Sequence, residues 1–202
     1  MNALETLTTI VDGFRNHRIA FTGGKGFLGK NLGRILHKSL AAVVELEGDV
    51  CVPATFSGDY DILFHLAAAD PNRFAKEPGK AWNINLVGLI NALEACRCRG
   101  ARLIFPSTGA VKELCQSNTR GPLDPRGLYA ESKRLGENLC QSYQLYLNTN
   151  VTVLRLFNVY GPGQQSPYLI SDLLEKLKKG LPLTVNAPEA KRDFVHVEFR
   201  PD

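Results

Sequence analysis

The chain has no apolar run approaching the ~18 residues of a membrane span, a single methionine and a single tryptophan. It has no block of like charge: 24 basic side chains stand against 20 acidic ones, and the net charge is +4. Without a basic stripe it does not read as a nucleic-acid binder. The five cysteines (Cys51, Cys96, Cys98, Cys115, Cys140) contain no C-x-x-C pair. Cys96 and Cys98 are spaced to point to different sides of a helix, so neither a zinc site nor a disulfide framework is expected. Reduced thiols in a cytoplasm are the simpler reading. The opening segment carries Glu5 early and no unbroken apolar core, which is not the pattern of a signal peptide. Internal repeats and low-complexity segments are also missing.

What is present is ordinary globular material, 44% hydrophobic and 22% charged, arranged as alternating elements. Short apolar runs at 18–22, 42–46, 62–64 (within 59–68), 101–108 and 151–159 read as strands. Between them, helical patterns run over about 27–39, 81–99, 128–147 and 168–179. Such alternation predicts an α/β fold of the Rossmann type, a doubly wound parallel sheet with helices on both faces. The stretch joining the second and third strands is too short for a complete strand–helix–strand crossover, so one unit of the usual winding is expected to be trimmed or rebuilt. Residues 3–14 read as an added amphipathic helix packed against the domain.

The first strand runs directly into Thr22-Gly23-Gly24-Lys25-Gly26-Phe27-Leu28-Gly29. Glycines at 23, 26 and 29 allow a sharp turn, close approach of backbone to a pyrophosphate, and tight packing of the next helix on the strand. That helix aims its free N–H groups and positive dipole end at the phosphates. A dinucleotide site also needs an acidic group about 20 residues on, at the end of the second strand, to hold a ribose hydroxyl. Glu45 and Glu47 stand there with no arginine beside them to welcome a 2′-phosphate, which leans toward NAD over NADP.

Tyr129-Ala-Glu-Ser-Lys133 is a Y-x-x-x-K. On a helix these two side chains lie one turn apart on one face. A nearby ammonium is expected to lower the phenol pKa toward working pH. The tyrosine then takes a proton from a substrate hydroxyl as hydride leaves the same carbon. The strand ending Ser107-Thr108 supplies a hydroxyl for the same substrate.

Together these segments resemble the extended short-chain dehydrogenase/reductase family, the NAD-dependent nucleotide-sugar epimerases and dehydratases of which UDP-glucose 4-epimerase is the type. The resemblance covers roughly residues 18–198. It implies cofactor contacts from Gly23, Gly26, Phe27, Leu28 and Glu45, and from Asp49 and Val50 in Glu47-Gly48-Asp49-Val50. It further implies contacts from Leu66, Ala67 and Ala68 after His65, from Asn85 of an Asn-x-x-Gly, and from Ser107, Tyr129 and Lys133. By motif position Thr108 is the catalytic hydroxyl, Tyr129 the base and Lys133 its partner. Asn158 of Arg155-Leu-Phe-Asn-Val-Tyr-Gly-Pro162 and Arg192 of Arg192-Asp-Phe-Val-His-Val197 face the substrate diphosphate or nucleoside. His65 and His196 read as structural.

The implied division is an N-terminal extension (1–17), an NAD-binding Rossmann domain (18–163) and the start of a substrate lobe (164–202), most of which is missing from the chain. Family dehydratases carry an acidic pair after the catalytic threonine. Here those positions are Gly109 and Ala110, and the usual Tyr-Gly after Val111 is Lys112-Glu113. A 4,6-dehydratase is thus disfavoured, and the implied activity is nucleotide-sugar epimerisation by hydride transfer. A keto-sugar reductase and an inactive dinucleotide-binding protein are the alternatives. The resemblance also implies a homodimer paired through helices 81–99 and 128–147.

Overall fold

The computed structural model describes residues 13–39, 42–116, 124–165, 167–185 and 188–197. Its elements, in chain order, are β1 (Ile19–Thr22), α1 (Phe27–Ser39), β2 (Val43–Leu46), a 3-10 turn (Pro53–Phe56), β3 (Ile62–His65), α2 (Pro71–Lys76) and α3 (Pro78–Trp82). A π-helical turn (Asn83–Val87) then leads into α4 (Gly88–Arg99), β4 (Arg102–Thr108), α5 (Ala110–Gln116), α6 (Pro125–Leu147), β5 (Val151–Leu156), β6 (Asn158–Tyr160), α7 (Leu169–Lys178) and β7 (Phe194–His196).

Five strands form one parallel sheet in the order β2-β1-β3-β4-β5. Alternate residues of the strands serve opposite faces, as the period of two requires. Ile19 and Phe64 join Leu32 and Leu36 of α1 on one face. Ala20, Leu63, Leu103 and Phe105 join Leu89, Leu93 and Cys96 of α4 and Cys140 of α6 on the other. The doubly wound α/β fold read from the alternation is therefore the fold observed. Burial pushes the Cys96 and Cys140 thiols up to about 12, so both stay protonated as core side chains. Among the described residues no helix is long and apolar enough to cross a membrane.

One feature bears out the expectation of a rebuilt unit, and a second departs from the reading of the strands. The connection from β2 to β3 is a single 3-10 turn in place of a helix and strand. Its Phe56 is buried in the main core, and Tyr60 donates to the Phe56 carbonyl at 3.1 Å. Second, the stretch 151–159 is not one strand. It breaks at Phe157, after which β6 leaves the main sheet and pairs in parallel with β7. The helix read over 128–147 begins earlier, at Pro125, because Asp124 caps it by accepting from the Gly127 N–H at 2.7 Å, and proline suits a first helical position. Residues 3–12 of the amphipathic N-terminal segment lie outside the described residues. Phe14, just after them, packs on Phe64 with ring centroids 6.1 Å apart.

Candidate active site

The glycine turn is built by close packing. Gly23 has φ +74°, and a Cβ there would lie 2.6 Å from the Ala67 nitrogen. A Cβ at Gly29 would strike the Gly23 carbonyl, and one at Gly24 would strike the Glu45 carboxylate. The turn closes with Gly26 N–H donating to Gly23 O at 3.0 Å, and α1 starts at once behind it. Gly88 of the Asn-x-x-Gly has the same logic, because a Cβ there would sit 2.7 Å from Val50 Cγ2.

At the C-terminal ends of the strands lies a cavity of about 1100 Å3, the expected place for a ligand in an open α/β sheet. Gly23, Gly26, Phe27 and Leu28 line it, with Leu66 and Ala68 from the exit of β3. Ser107, Thr108, Tyr129 and Lys133 line it too. So do Asn158 and Arg192, from the β6–β7 side. A smaller adjoining recess of about 310 Å3 is walled by Gly23, Gly26, Asp49, Val50 and Ala67. Asp49 shapes this recess by accepting from the Cys51 N–H at 2.9 Å. Two residues expected at the cofactor lie off these walls. Glu45 stands over Gly24, and the Asn85 amide is turned to Ala69 and Ser132.

Lys133 is buried, donates to the Pro106 carbonyl at 2.8 Å and sits 4.7 Å from the Phe105 ring centroid. Desolvation lowers its pKa to about 8. Tyr129 departs from expectation. Burial pushes its phenol up to about 12, and the neighbouring Tyr168 and Asp70 push the same way. Lys133 is not among the influences on the phenol; its ammonium donates to the Pro106 carbonyl instead. The Thr108 hydroxyl accepts from the Ala110 N–H at 3.3 Å at the mouth of β4.

Sequence reasoning missed four contributors. Glu137 accepts from the Ser107 hydroxyl and takes Arg155 in a two-point pair at 2.9 and 2.6 Å, tying α6 to β4 and β5. It lies four residues beyond Lys133, so helical spacing alone could have placed it on the lysine's face. Asp70 and Tyr168, which also line the cavity, carried no motif signal. Phe157 covers Gly109 so closely that a Cβ there would lie 2.7 Å from the ring. An acidic side chain at 109 would have to displace it.

His65 is structural, as read from the sequence. It is fully buried, and its Nδ1 lies 3.0 Å from Thr22 Oγ1. Burial, reinforced by the Lys133 ammonium, holds its pKa near 3 against a usual 6.5. The unfolded chain therefore binds the extra proton between those values, and stability falls as pH drops below about 6.5. Urea midpoints measured from pH 7.5 to 5 should decline, approaching a limiting slope of about 1.4 kcal/mol per pH unit for one such group. The slope should flatten in His65→Asn; an equal slope in the variant would show that other groups set it.

Comparison with known proteins agrees with this geometry. Residues 19–198 match the NAD dependent epimerase/dehydratase family. The chain is 27% identical over 215 residues to UDP-glucuronic acid decarboxylase 1 of Xenopus tropicalis, covering 89% of this chain and 51% of that one. It is 31% identical over 206 residues to GDP-6-deoxy-D-mannose reductase of Pseudomonas aeruginosa, covering 90% and 67%. It thus spans about half the length of the first relative and two thirds of the second. Among solved structures it superposes on UDP-glucose 4-epimerase of Thermus thermophilus in complex with NAD, with TM-score 0.71 and 26% identity over 90% of this chain and 71% of that one. By sequence and by fold, the chain belongs to the NAD-dependent epimerase/dehydratase family.

Proposed function

We propose that the protein oxidises and re-reduces a nucleotide sugar at one carbon, as an NAD-dependent epimerase. One observation carries this reading: the glycine turn, Thr108, Tyr129 and Lys133 line a single cavity whose wall also includes Asn158 and Arg192. The residues present fit NAD. The backbone at Gly23 leaves no room for a Cβ, and α1 points its N-terminus into the same space, where phosphates bind. When bound, NAD supplies the hydride acceptor. Tyr129 takes the proton of the sugar hydroxyl and later returns it. Thr108 orients that hydroxyl, and Lys133 holds positive charge beneath the site. Arg192 and Asn158 receive the nucleotide end of the substrate.

Epimerisation asks only that the keto sugar turn over before hydride returns, and these groups suffice for it. A 4,6-dehydratase needs an acid next to Thr108, where the ring of Phe157 occupies the space over Gly109. The second reading is a keto-sugar reductase, favoured by the 31% identity to GDP-6-deoxy-D-mannose reductase. As part of the proposal, copies pair through α4 and α6, which leave Ile90, Leu145 and Tyr146 exposed.

The test is to denature the purified protein, identify the released nucleotide by chromatography, then supply UDP- and GDP-sugars. Stoichiometric NAD and an epimer formed without net cofactor change are the expected results. Net oxidation of a reduced cofactor with a keto sugar would establish the reductase. A protein that holds NAD yet turns over no sugar nucleotide would be a binding protein.

A further inference from the structure

Asn85 was expected to touch the cofactor. It is buried, at 5% exposure, in the one π-helical turn among the described residues, and such turns concentrate at functional sites. Its Oδ1 accepts from the Ala69 N–H at 2.7 Å, while its Nδ2 donates to the Ala69 carbonyl at 3.2 Å and to Ser132 Oγ at 2.8 Å. Both amide hydrogens are thereby used, and no donor remains for a nucleotide. Ser132 in turn donates to the Tyr129 carbonyl at 2.7 Å. The result is a continuous chain of hydrogen bonds from the exit of β3, through the π turn, to the first turns of α6.

We infer that Asn85 is a positioning residue, which fixes Tyr129 against the Ala69–Asp70 wall of the cavity by way of Ser132. The extra residue of the π turn matters here. An α-helix advances about 100° per residue, so inserting one residue turns the following helix by about that angle relative to the preceding one. The turn thus lets α3 present Ala81 and Trp82, and α4 present Leu89, to their separate cores while Asn85 still faces Ser132. Around this brace, Ala69, Phe74 and Ala81 are packed by Trp82, Ile84, Leu128 and Tyr129. The phenol is therefore held on one side by apolar contacts and through its backbone by a polar chain, both anchored on the same turn.

The kinetic arm of the test rests on the proposed role of Tyr129; the spectroscopic and binding arms do not. Asn85→Ala and Ser132→Ala are made in the whole chain. Trp82 is the only tryptophan, so its emission reports on the brace directly. Both variants should shift that emission and bind NAD within about threefold of wild type, while kcat at saturating NAD falls by up to about 100-fold, the cost of misplacing a reacting group by about 1 Å. The pH dependence of kcat should move with it. The double variant should be no slower than Asn85→Ala, since the two act in one chain.

Loss of NAD affinity with kcat intact would make Asn85 a cofactor ligand and overturn the inference. So would a lowered melting temperature with emission, kcat and pH profile unchanged, the mark of a structural role alone. Should Asn85→Ala fail to fold, Ser132→Ala decides, because it leaves both bonds to Ala69 intact. Should the wild-type chain turn over no sugar nucleotide, the functional reading falls, and the brace is then judged by amide exchange at residues 129–133. Faster exchange in Ser132→Ala supports it; unchanged exchange overturns it.

Discussion

Tyr129→Phe should lose turnover by about 10²–10⁴-fold, the usual contribution of a positioned acid–base group, with NAD still bound. The substitution removes one oxygen from a half-buried ring and leaves its packing on the Ala69–Phe74–Ala81 cluster in place. Folding and cofactor affinity should therefore stay near wild type. The pH dependence gives a second check. Burial pushes the phenol up to about 12, with Tyr168 and Asp70 adding to it. Below its pKa the phenolate fraction grows tenfold per pH unit. If Tyr129 acts as base, kcat in the oxidising direction should climb with pH through the neutral range, and the residual rate of the phenylalanine variant should be flat. Asp70→Asn, which removes a nearby negative charge, should shift the wild-type curve to lower pH. Equal rates for Tyr129→Phe and wild type would remove the tyrosine from the mechanism.

The second large effect is expected at Gly23→Ala. A left-handed backbone at a residue bearing a side chain costs about 1–2 kcal/mol. The new methyl would also lie 2.6 Å from the Ala67 nitrogen, and overpacking of this kind costs about 1–3 kcal/mol. Relief by movement is blocked. Thr22, one residue earlier, is in register with His65, and its hydroxyl accepts from the Ala67 N–H at 3.2 Å. The strain must be relieved by lifting the turn, which moves the N–H groups that would meet the pyrophosphate. NAD affinity should fall by at least about 100-fold, equivalent to about 2.7 kcal/mol, and the urea midpoint should drop. Unchanged values of both would mean that the turn is not where the phosphates bind.

The parts of this molecule legible in the sequence are those governed by local pattern. Glycine spacing at 23, 26 and 29 announces a turn, and at Gly23 and Gly29 the structure leaves no room for a Cβ. Strand and helix periods gave the sheet, and the shortness of 47–58 foretold a rebuilt crossover. What escaped depends on contacts across the fold. The pKa of Tyr129 is set by burial and by Tyr168 and Asp70, none of which the Y-x-x-x-K spacing encodes. The direction of Asn85 depends on one extra residue in a helical turn, which periodicity over 81–99 does not resolve. Phe157 over Gly109 joins the break after β5 to the mouth of β4, two places that nothing in the local sequence links.

Among the described residues, the sheet order leaves β2 and β5 outermost. Open strand edges invite pairing with other chains. Here each edge strand carries an ionisable residue near its end, Glu45 on β2 and Arg155 on β5. Arg155 is kept on that edge by its two bonds to Glu137. A foreign strand that docked beside β5 would have to strip water from the half-exposed Arg155. The residues that tie α6 to the sheet therefore also discourage another chain from pairing along β5.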